Sequence, residues 1–232
     1  MVGQQDGSDL GRARLAVFDL DGTSINGQSG ILFCRYLFES GLISPSRALR
    51  LGWWGARYAL HLPQRQAESR ELIFDALAGE GQDEVARRMG EFHERYILPR
   101  YRADAIAEVA RRREQGCVTL LVSATFEGIA TLAAAHLGVD GLVATRMRRG
   151  GEGNFTGEVD GQVVAGRGKT EGVAAWADEH LGQGRWYVQA AYGDHLSDRF
   201  LLGSAVEAFA VRPDPTLRLE AHRRGWTVLD WR

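Results

Sequence analysis

The sequence predicts an α/β protein: a parallel sheet packed with helices, and an all-helical insertion placed just after the first strand. Three observations carry that expectation. Short apolar runs of the kind buried on both faces end in polar residues at Asp19, Ser123 and Asp194. From about residue 103 onward the hydrophobic period alternates between helix and strand, the pattern of an α/β layer. Between residues 28 and 102 the period is helical alone, with Leu49, Trp53, Ala56 and Leu60 on one stripe and Val85, Met89, Phe92 and Tyr96 on another.

Taken in order, residues 1–13 are polar and glycine-bearing and read as a mobile tail. Leu15, Ala16, Val17 and Phe18 form the first strand, which runs into Asp19-Leu20-Asp21-Gly22-Thr23. Side chains two apart on an extended chain share a face, so Asp19 and Asp21 face one small volume while Leu20 turns to the core. Two carboxylates that close call for a divalent cation or a shared proton; the competing reading is an acidic Asp-Gly turn that merely closes a strand. The insertion follows, punctuated by Pro63 and Gly79. Its Trp53-Trp54 pair reads first as helix core, with a ligand-pocket wall as the alternative.

A helix over residues 104–113 leads through Gly116 to a second buried strand at 118–122, which ends in Ser123-Ala124-Thr125. A helix near 128–137 and a short strand at 142–145 come next. The glycine-rich stretch 147–168 reads as a hairpin or flap. Lys169 opens another helix, which carries Val173, Trp176 and Ala177 on one face. A strand at 187–192 is closed by Gly193-Asp194-His195-Leu196-Ser197-Asp198, and strands at 206–211 and 227–229 flank a final helix near 216–224.

The 232 residues carry 28 Lys and Arg against 30 Asp and Glu, a net charge of −2, which gives no footprint for a nucleic-acid partner. The basic runs Arg111-Arg112-Arg113 and 146–149 read as solvated faces. Cys34 and Cys117 sit among apolar residues, outside any metal or disulfide spacing, and read as buried thiols of a reducing compartment. With neither a signal-peptide pattern nor an apolar run of membrane-spanning length, the expected location is cytoplasmic, without a membrane partner.

The polar strand ends converge, because the carboxyl ends of strands in an open parallel sheet lie along one edge. They supply a carboxylate nucleophile, a second acid, a hydroxyl and an acid pair, to which Lys169 adds a fixed positive charge; such a set suits phosphoryl transfer. Individually each residue has a plainer reading: Ser123 as a turn residue, Lys169 as an exposed helix residue, Asp194 and Asp198 as helix caps.

The ordered motifs DLDGT (19–23 within it), VSAT (122–125), GKT (168–170) and GDHLSD (193–198) resemble the haloacid dehalogenase superfamily, in its phosphatase branch of subfamily IB that includes phosphoserine phosphatases. The likeness spans the chain from Leu15 onward. It implies a HAD-like Rossmannoid parallel sheet with helices on both faces, formed by residues 14–27 and 103–232, and an inserted helical cap over 28–102. It implies a Mg²⁺-dependent phosphatase acting on a small-molecule phosphomonoester, with Asp19 as nucleophile and Asp21 as general acid and then base. By the same resemblance Thr23, Ser123 and Lys169 bind the phosphoryl group, Asp19, Asp194 and the Asp21 carbonyl oxygen hold Mg²⁺, and Asp198 orients metal waters or Lys169.

Two other outcomes stay open: transfer of the phosphoryl group to an acceptor other than water, as in a phosphotransferase or mutase, and a catalytically retired fold that serves as a binding protein. The superfamily's dehalogenases lack the second aspartate, so Asp21 argues against carbon–halogen chemistry. His195 departs from the small hydroxyl residue that relatives carry there and reads as a loop substitution, with a proton donor as the alternative. Gln28 stands where phosphoserine phosphatases place a glutamate for the substrate ammonium, and no arginine within 69–79 matches their carboxylate-binding position, although Arg70 is near. With Trp53, Trp54 and Tyr58 in the cap, a bulkier or less charged ester than phosphoserine is expected.

Overall fold

The computed structural model describes residues 11–44, 46, 49, 53 and 74–232. The sheet has seven strands, β1 (Ala13–Asp19), β2 (Val118–Phe126), β3 (Gly141–Arg149), β4 (Phe155–Asp160), β5 (Trp186–Gly193), β6 (Glu207–Val211) and β7 (Thr227–Leu229), in the order β4-β3-β2-β1-β5-β6-β7. Every neighbouring pair is parallel except β3 with β4, which closes the sheet as an antiparallel hairpin. Among the described residues the complete helices are α1 (Ser29–Glu39), α2 (Gln82–Phe92), α3 (Ala103–Glu114), α4 (Glu127–Leu137), α5 (Arg167–Leu181), α6 (Arg199–Ser204) and α7 (Pro215–Arg224).

Alternation along β1 divides the core in two, as a sheet covered on both faces requires. Leu15 and Val17 point to one side and meet α5, α6 and α7 through Val173, Ala177, Leu201, Leu202, Leu217 and Ala221. Ala16 and Phe18 point to the other, where α3 and α4 pack through Val109, Ile129, Ala133 and Leu137. Phe18 stacks on Tyr192 at 4.4 Å and Tyr192 on Phe209 at 4.8 Å, so three adjacent strands carry one aromatic ladder in register.

Between β1 and α3, the helices α1 and α2 join the same apolar cluster. Val85, Met89, Phe92 and Tyr96 are all buried, as their spacing predicts, and Phe33 of α1 meets Phe92 edge-on at 5.0 Å. A π-helical turn at His93–Ile97 and a 3-10 turn at Leu98–Arg100, which contains Pro99, return the chain to the sheet.

Three readings of the sequence need correction. Trp53 is helical but 68% exposed, as is Leu49 at 76%, so neither belongs to the core. Trp54, Ala56, Tyr58, Leu60 and Arg70 lie outside the described residues. Arg112 is no solvated residue: at i, i+4 and i+7 with the buried Ala105 and Val109 it occupies a core position of α3. It is held there by Glu108, Glu207 and the Tyr192 hydroxyl, 3.0, 2.6 and 2.8 Å away. Cys117 is buried, but Cys34 is only half-buried; neither is bonded to another cysteine. Among the described residues, no helix is long and apolar enough to cross a membrane.

Candidate active site

The register of β1 with its two neighbours builds the site. Asp19 pairs with Val122 and Phe18 with Tyr192, so Ser123 and the Gly193-Asp194 turn emerge beside Asp19 at the carboxyl edge. The β2–β3 ladder is interrupted between Ser123 and Phe126, which releases the Thr125 N–H to donate to Ser123 Oγ at 3.1 Å. Lys169, the third residue of α5, reaches in from the helix that packs on Leu15 and Val17.

Lys169 Nζ lies 2.7 Å from Asp19 Oδ1 and 2.6 Å from Asp198 Oδ1, and all three side chains are buried. Asp19, Asp194 and Asp198 each offer a carboxylate oxygen within 4.8 Å of the others. Three carboxylates thus face one ammonium group. Burial lifts the Asp19 carboxyl to about 7, against the opposing pull of Lys169. Asp194 is half-buried as a residue, but its carboxylate faces the other two; its pKa is raised well above the carboxylate range by burial first and by the Asp19 charge second. Burial alone would lower Lys169, yet the two aspartates that touch it raise it on balance.

The loop after β1 is equally constrained. Gly22 adopts φ +73°, and a Cβ there would fall 1.9 Å from Asp194 Oδ2, so only glycine brings the main chain this close to that carboxylate. The buried Thr23 hydroxyl donates to Asp194 Oδ1 at 3.4 Å, and Ser24 Oγ donates to the Asp19 carbonyl at 2.6 Å. Both oxygens of Asp21 accept from Ser29: the N–H at 2.6 Å and the hydroxyl at 2.9 Å. Gln28 is the N-cap residue of α1 and stands half-buried directly beside this contact.

His195 does not enter the cluster. Its Nδ1 accepts the Ser197 N–H at 3.2 Å, its Nε2 lies 3.9 Å from Asp214 Oδ2, and its own N–H donates to Asp198 Oδ2 at 3.2 Å. Both Asp198 oxygens therefore have protein partners.

Sequence reasoning missed Ser29, Thr125 and Arg102. Arg102, the N-cap residue of α3, is buried and donates to the Gly22 carbonyl at 3.3 Å, the Asn26 side chain at 3.4 Å and the Trp231 carbonyl at 3.1 Å. For Ser29 a signal existed, since a small hydroxyl residue just before an apolar run marks a helix start. Its contact with Asp21 had none.

A cation fits the donor set. The groups are hard oxygens, and three carboxylates facing the single Lys169 ammonium carry more negative charge than it balances.

An open parallel sheet with a buried aspartate, lysine and further acids gathered at its carboxyl edge defines an α/β enzyme of the Rossmann-like class. The chain belongs to the haloacid dehalogenase-like hydrolase family, whose profile matches residues 16–202. It is 29% identical over 230 residues to a histidinol-phosphatase of Neisseria meningitidis, covering 94% of this chain and 99% of that one. It is 28% identical to a phosphoserine phosphatase of Mycobacterium tuberculosis, covering 94% of this chain and 70% of the relative. A crystal structure of a Bordetella pertussis protein of unknown function superposes with a TM-score of 0.85 at 29% identity, covering 94% of this chain and 99% of that one. A substrate-bound phosphoserine phosphatase shares the fold at a TM-score of 0.65 and 17% identity, covering 94% and 93%.

Proposed function

We propose that this hydrolase is a Mg²⁺-dependent phosphatase that removes the phosphoryl group of a small alcohol phosphomonoester through an aspartyl-phosphate on Asp19. The observation that carries the reading is Lys169 held between Asp19 and Asp198 at the carboxyl edge of the sheet, beside Asp194. Lys169 orients the Asp19 carboxylate and favours its ionised form against the effect of burial, which a nucleophile requires. Asp19 attacks phosphorus as the bond to the alcohol oxygen breaks, and Asp21 gives that oxygen its proton. Asp21 then takes a proton from water, which attacks phosphorus and releases Asp19. Thr23, Ser123 and Lys169 receive the phosphoryl oxygens. Asp19, Asp194 and the Asp21 carbonyl oxygen are the donors for Mg²⁺, which neutralises phosphoryl charge when bound. Asp198, engaged through both oxygens, keeps Lys169 in place.

Residues 28–102 act as a cap over a core of 14–27 and 103–232. Of the two named relatives, one takes its name from histidinol phosphate and the other from phosphoserine. Both names denote an alcohol phosphate beside an amine, and only phosphoserine carries a carboxylate. The neutral Gln28, the N-cap residue next to Ser29, offers no charge-assisted contact to either ammonium group, and with the exposed Trp53 it supports a bulkier or less charged ester than phosphoserine.

Phosphate release from histidinol phosphate, phosphoserine and p-nitrophenyl phosphate, with Mg²⁺ or with chelator, tests the reading. Activity is expected to require Mg²⁺ and to vanish in a folded Asp19→Asn variant. A lost charge-assisted contact is worth about 1.5–3 kcal/mol, so phosphoserine is expected to fall roughly ten-fold or more below the best substrate in kcat/KM. Turnover in chelator or in Asp19→Asn overturns the mechanism, and phosphoserine as best substrate overturns the substrate class.

A further inference from the structure

We infer that Ser29, backed by Thr125, is a positioning residue for Asp21: its hydroxyl hydrogen moves between the two as Asp21 alternates between acid and base. The inference rests on the phosphatase reading above. Ser29 is fully buried, and as the first residue of α1 it meets both Asp21 oxygens, N–H to Oδ1 at 2.6 Å and Oγ to Oδ2 at 2.9 Å. The same Oγ lies 2.8 Å from Thr125 Oγ1, which is itself buried. A serine hydroxyl has one hydrogen, so these two contacts cannot both be donated by Ser29 at once.

That shared hydrogen matches the two duties of Asp21. When Asp21 is ionised, as the base that activates water, the Ser29 hydrogen belongs on Oδ2, where a charge-assisted bond is strongest. When Asp21 carries the proton destined for the leaving alcohol, Oδ2 is a poorer acceptor, and the hydrogen turns to Thr125 Oγ1. Throughout, the Ser29 N–H keeps Oδ1 fixed, so the carboxyl group changes role without changing place. No bond to Ser29 is made or broken. Because Phe33, Tyr36 and Leu37 of α1 lie in the same apolar cluster as Phe92 and Tyr96, the alignment of Asp21 depends on how the helical insertion sits on the core.

Rapid-quench measurement of phosphoenzyme formation and hydrolysis, with histidinol phosphate or another alkyl phosphate and with p-nitrophenyl phosphate, tests this. An aryl phosphate has a leaving group that departs without a proton, so its phosphorylation step does not need the acid. Ser29→Ala is expected to slow phosphorylation by the alkyl ester, and hydrolysis of the phosphoenzyme from either ester, by about ten- to hundred-fold, part of the 10²–10⁴ that acid–base assistance is worth. Phosphorylation by p-nitrophenyl phosphate should change less than about three-fold, KM should hold, and Ser29→Thr should restore both steps. Thr125→Val removes the second resting place of the hydrogen, and is expected to slow alkyl phosphorylation while leaving hydrolysis unchanged. Equal slowing for both esters in Ser29→Ala, or equal slowing of both steps in Thr125→Val, would mean a merely structural role and overturn the inference. A wild-type protein that forms no phosphorylated Asp19 fails at the level of the function itself, a result distinguishable from either.

Discussion

Replacing Lys169 with methionine, in metal-free protein, probes the charge balance of the site directly. The ammonium sits 2.7 Å from Asp19 and 2.6 Å from Asp198, and methionine keeps most of the stem while removing the charge. Removing one partner of a buried ion pair destabilises by about 3–5 kcal/mol, because the remaining charge is left without compensation. Here Asp19 has an escape, which is to take up a proton. Asp19 is already raised to about 7 with the lysine in place, so without it the folded-state pKa lies higher still, against an ordinary 3.8. A carboxyl whose pKa is raised by folding binds more protons in the folded state, so stability is present at low pH and is lost as pH rises toward the folded pKa. Wild type itself sheds this stability up to its own value of about 7, so the extra penalty of Lys169→Met should be small near pH 6, set in above pH 7 and grow by roughly 1.4 kcal/mol per pH unit, reaching about 1.4 kcal/mol by pH 8. For a chain of this size each kcal/mol shifts Tm by about 2–4 °C, so the deficit in Tm relative to wild type should widen by roughly 3–6 °C between those pH values. Thermal unfolding in chelator at both pH values measures it. A deficit independent of pH would show that Asp19 does not take up the missing charge as a proton, and would refute the reasoning.

Two further perturbations follow from the geometry. Gly22→Ala forces an L-residue to φ +73° and sets a Cβ 1.9 Å from Asp194 Oδ2; it should lower Tm, since the left-handed region alone is worth about 1–2 kcal/mol, and raise the Mg²⁺ concentration for half-maximal activity, whereas an unchanged metal requirement would separate Gly22 from the Asp194 carboxylate. Arg112→Leu leaves Glu108 and Glu207 without the cation that helps hold both carboxyls below the usual 4.5; opposing burial, those bonds stabilise the fold above that value and are lost as pH falls through the depressed pKa values, so the variant should lose less stability than wild type between about pH 5 and pH 3, as seen in urea midpoints across that range.

Most of the site was legible because its parts are local. Asp19 and Asp21 announce themselves as acids at the end of an apolar run, and Ser123, Lys169, Asp194 and Asp198 stand at the ends of elements whose periods are plain in the sequence. The parallel sheet then brings those ends to one edge whatever the details of packing. What stayed hidden are contacts between residues far apart in the chain. A helical stripe says which face of α3 is buried, but not that Arg112 will find Tyr192 and Glu207 beneath it, 80 and 95 positions away. The period of residues 49–60 likewise suggests an apolar face without saying what, if anything, covers Trp53, which stands 68% exposed.

By itself the sequence determined the order of strands and helices, the interruption after β1 and the identity of the acids and the lysine, since each follows from hydrophobic period and from what a strand end exposes. Only the tertiary structure decided the charge state and the alignment of those groups. Lys169 lies between two aspartates rather than in solvent, both Asp198 oxygens are committed to protein partners, and Asp21 is gripped by a serine at the start of α1 with Thr125, 96 positions further along, behind it. Desolvation and hydrogen bonding depend on which atoms lie within a few ångströms, and neither composition nor periodicity carries that distance.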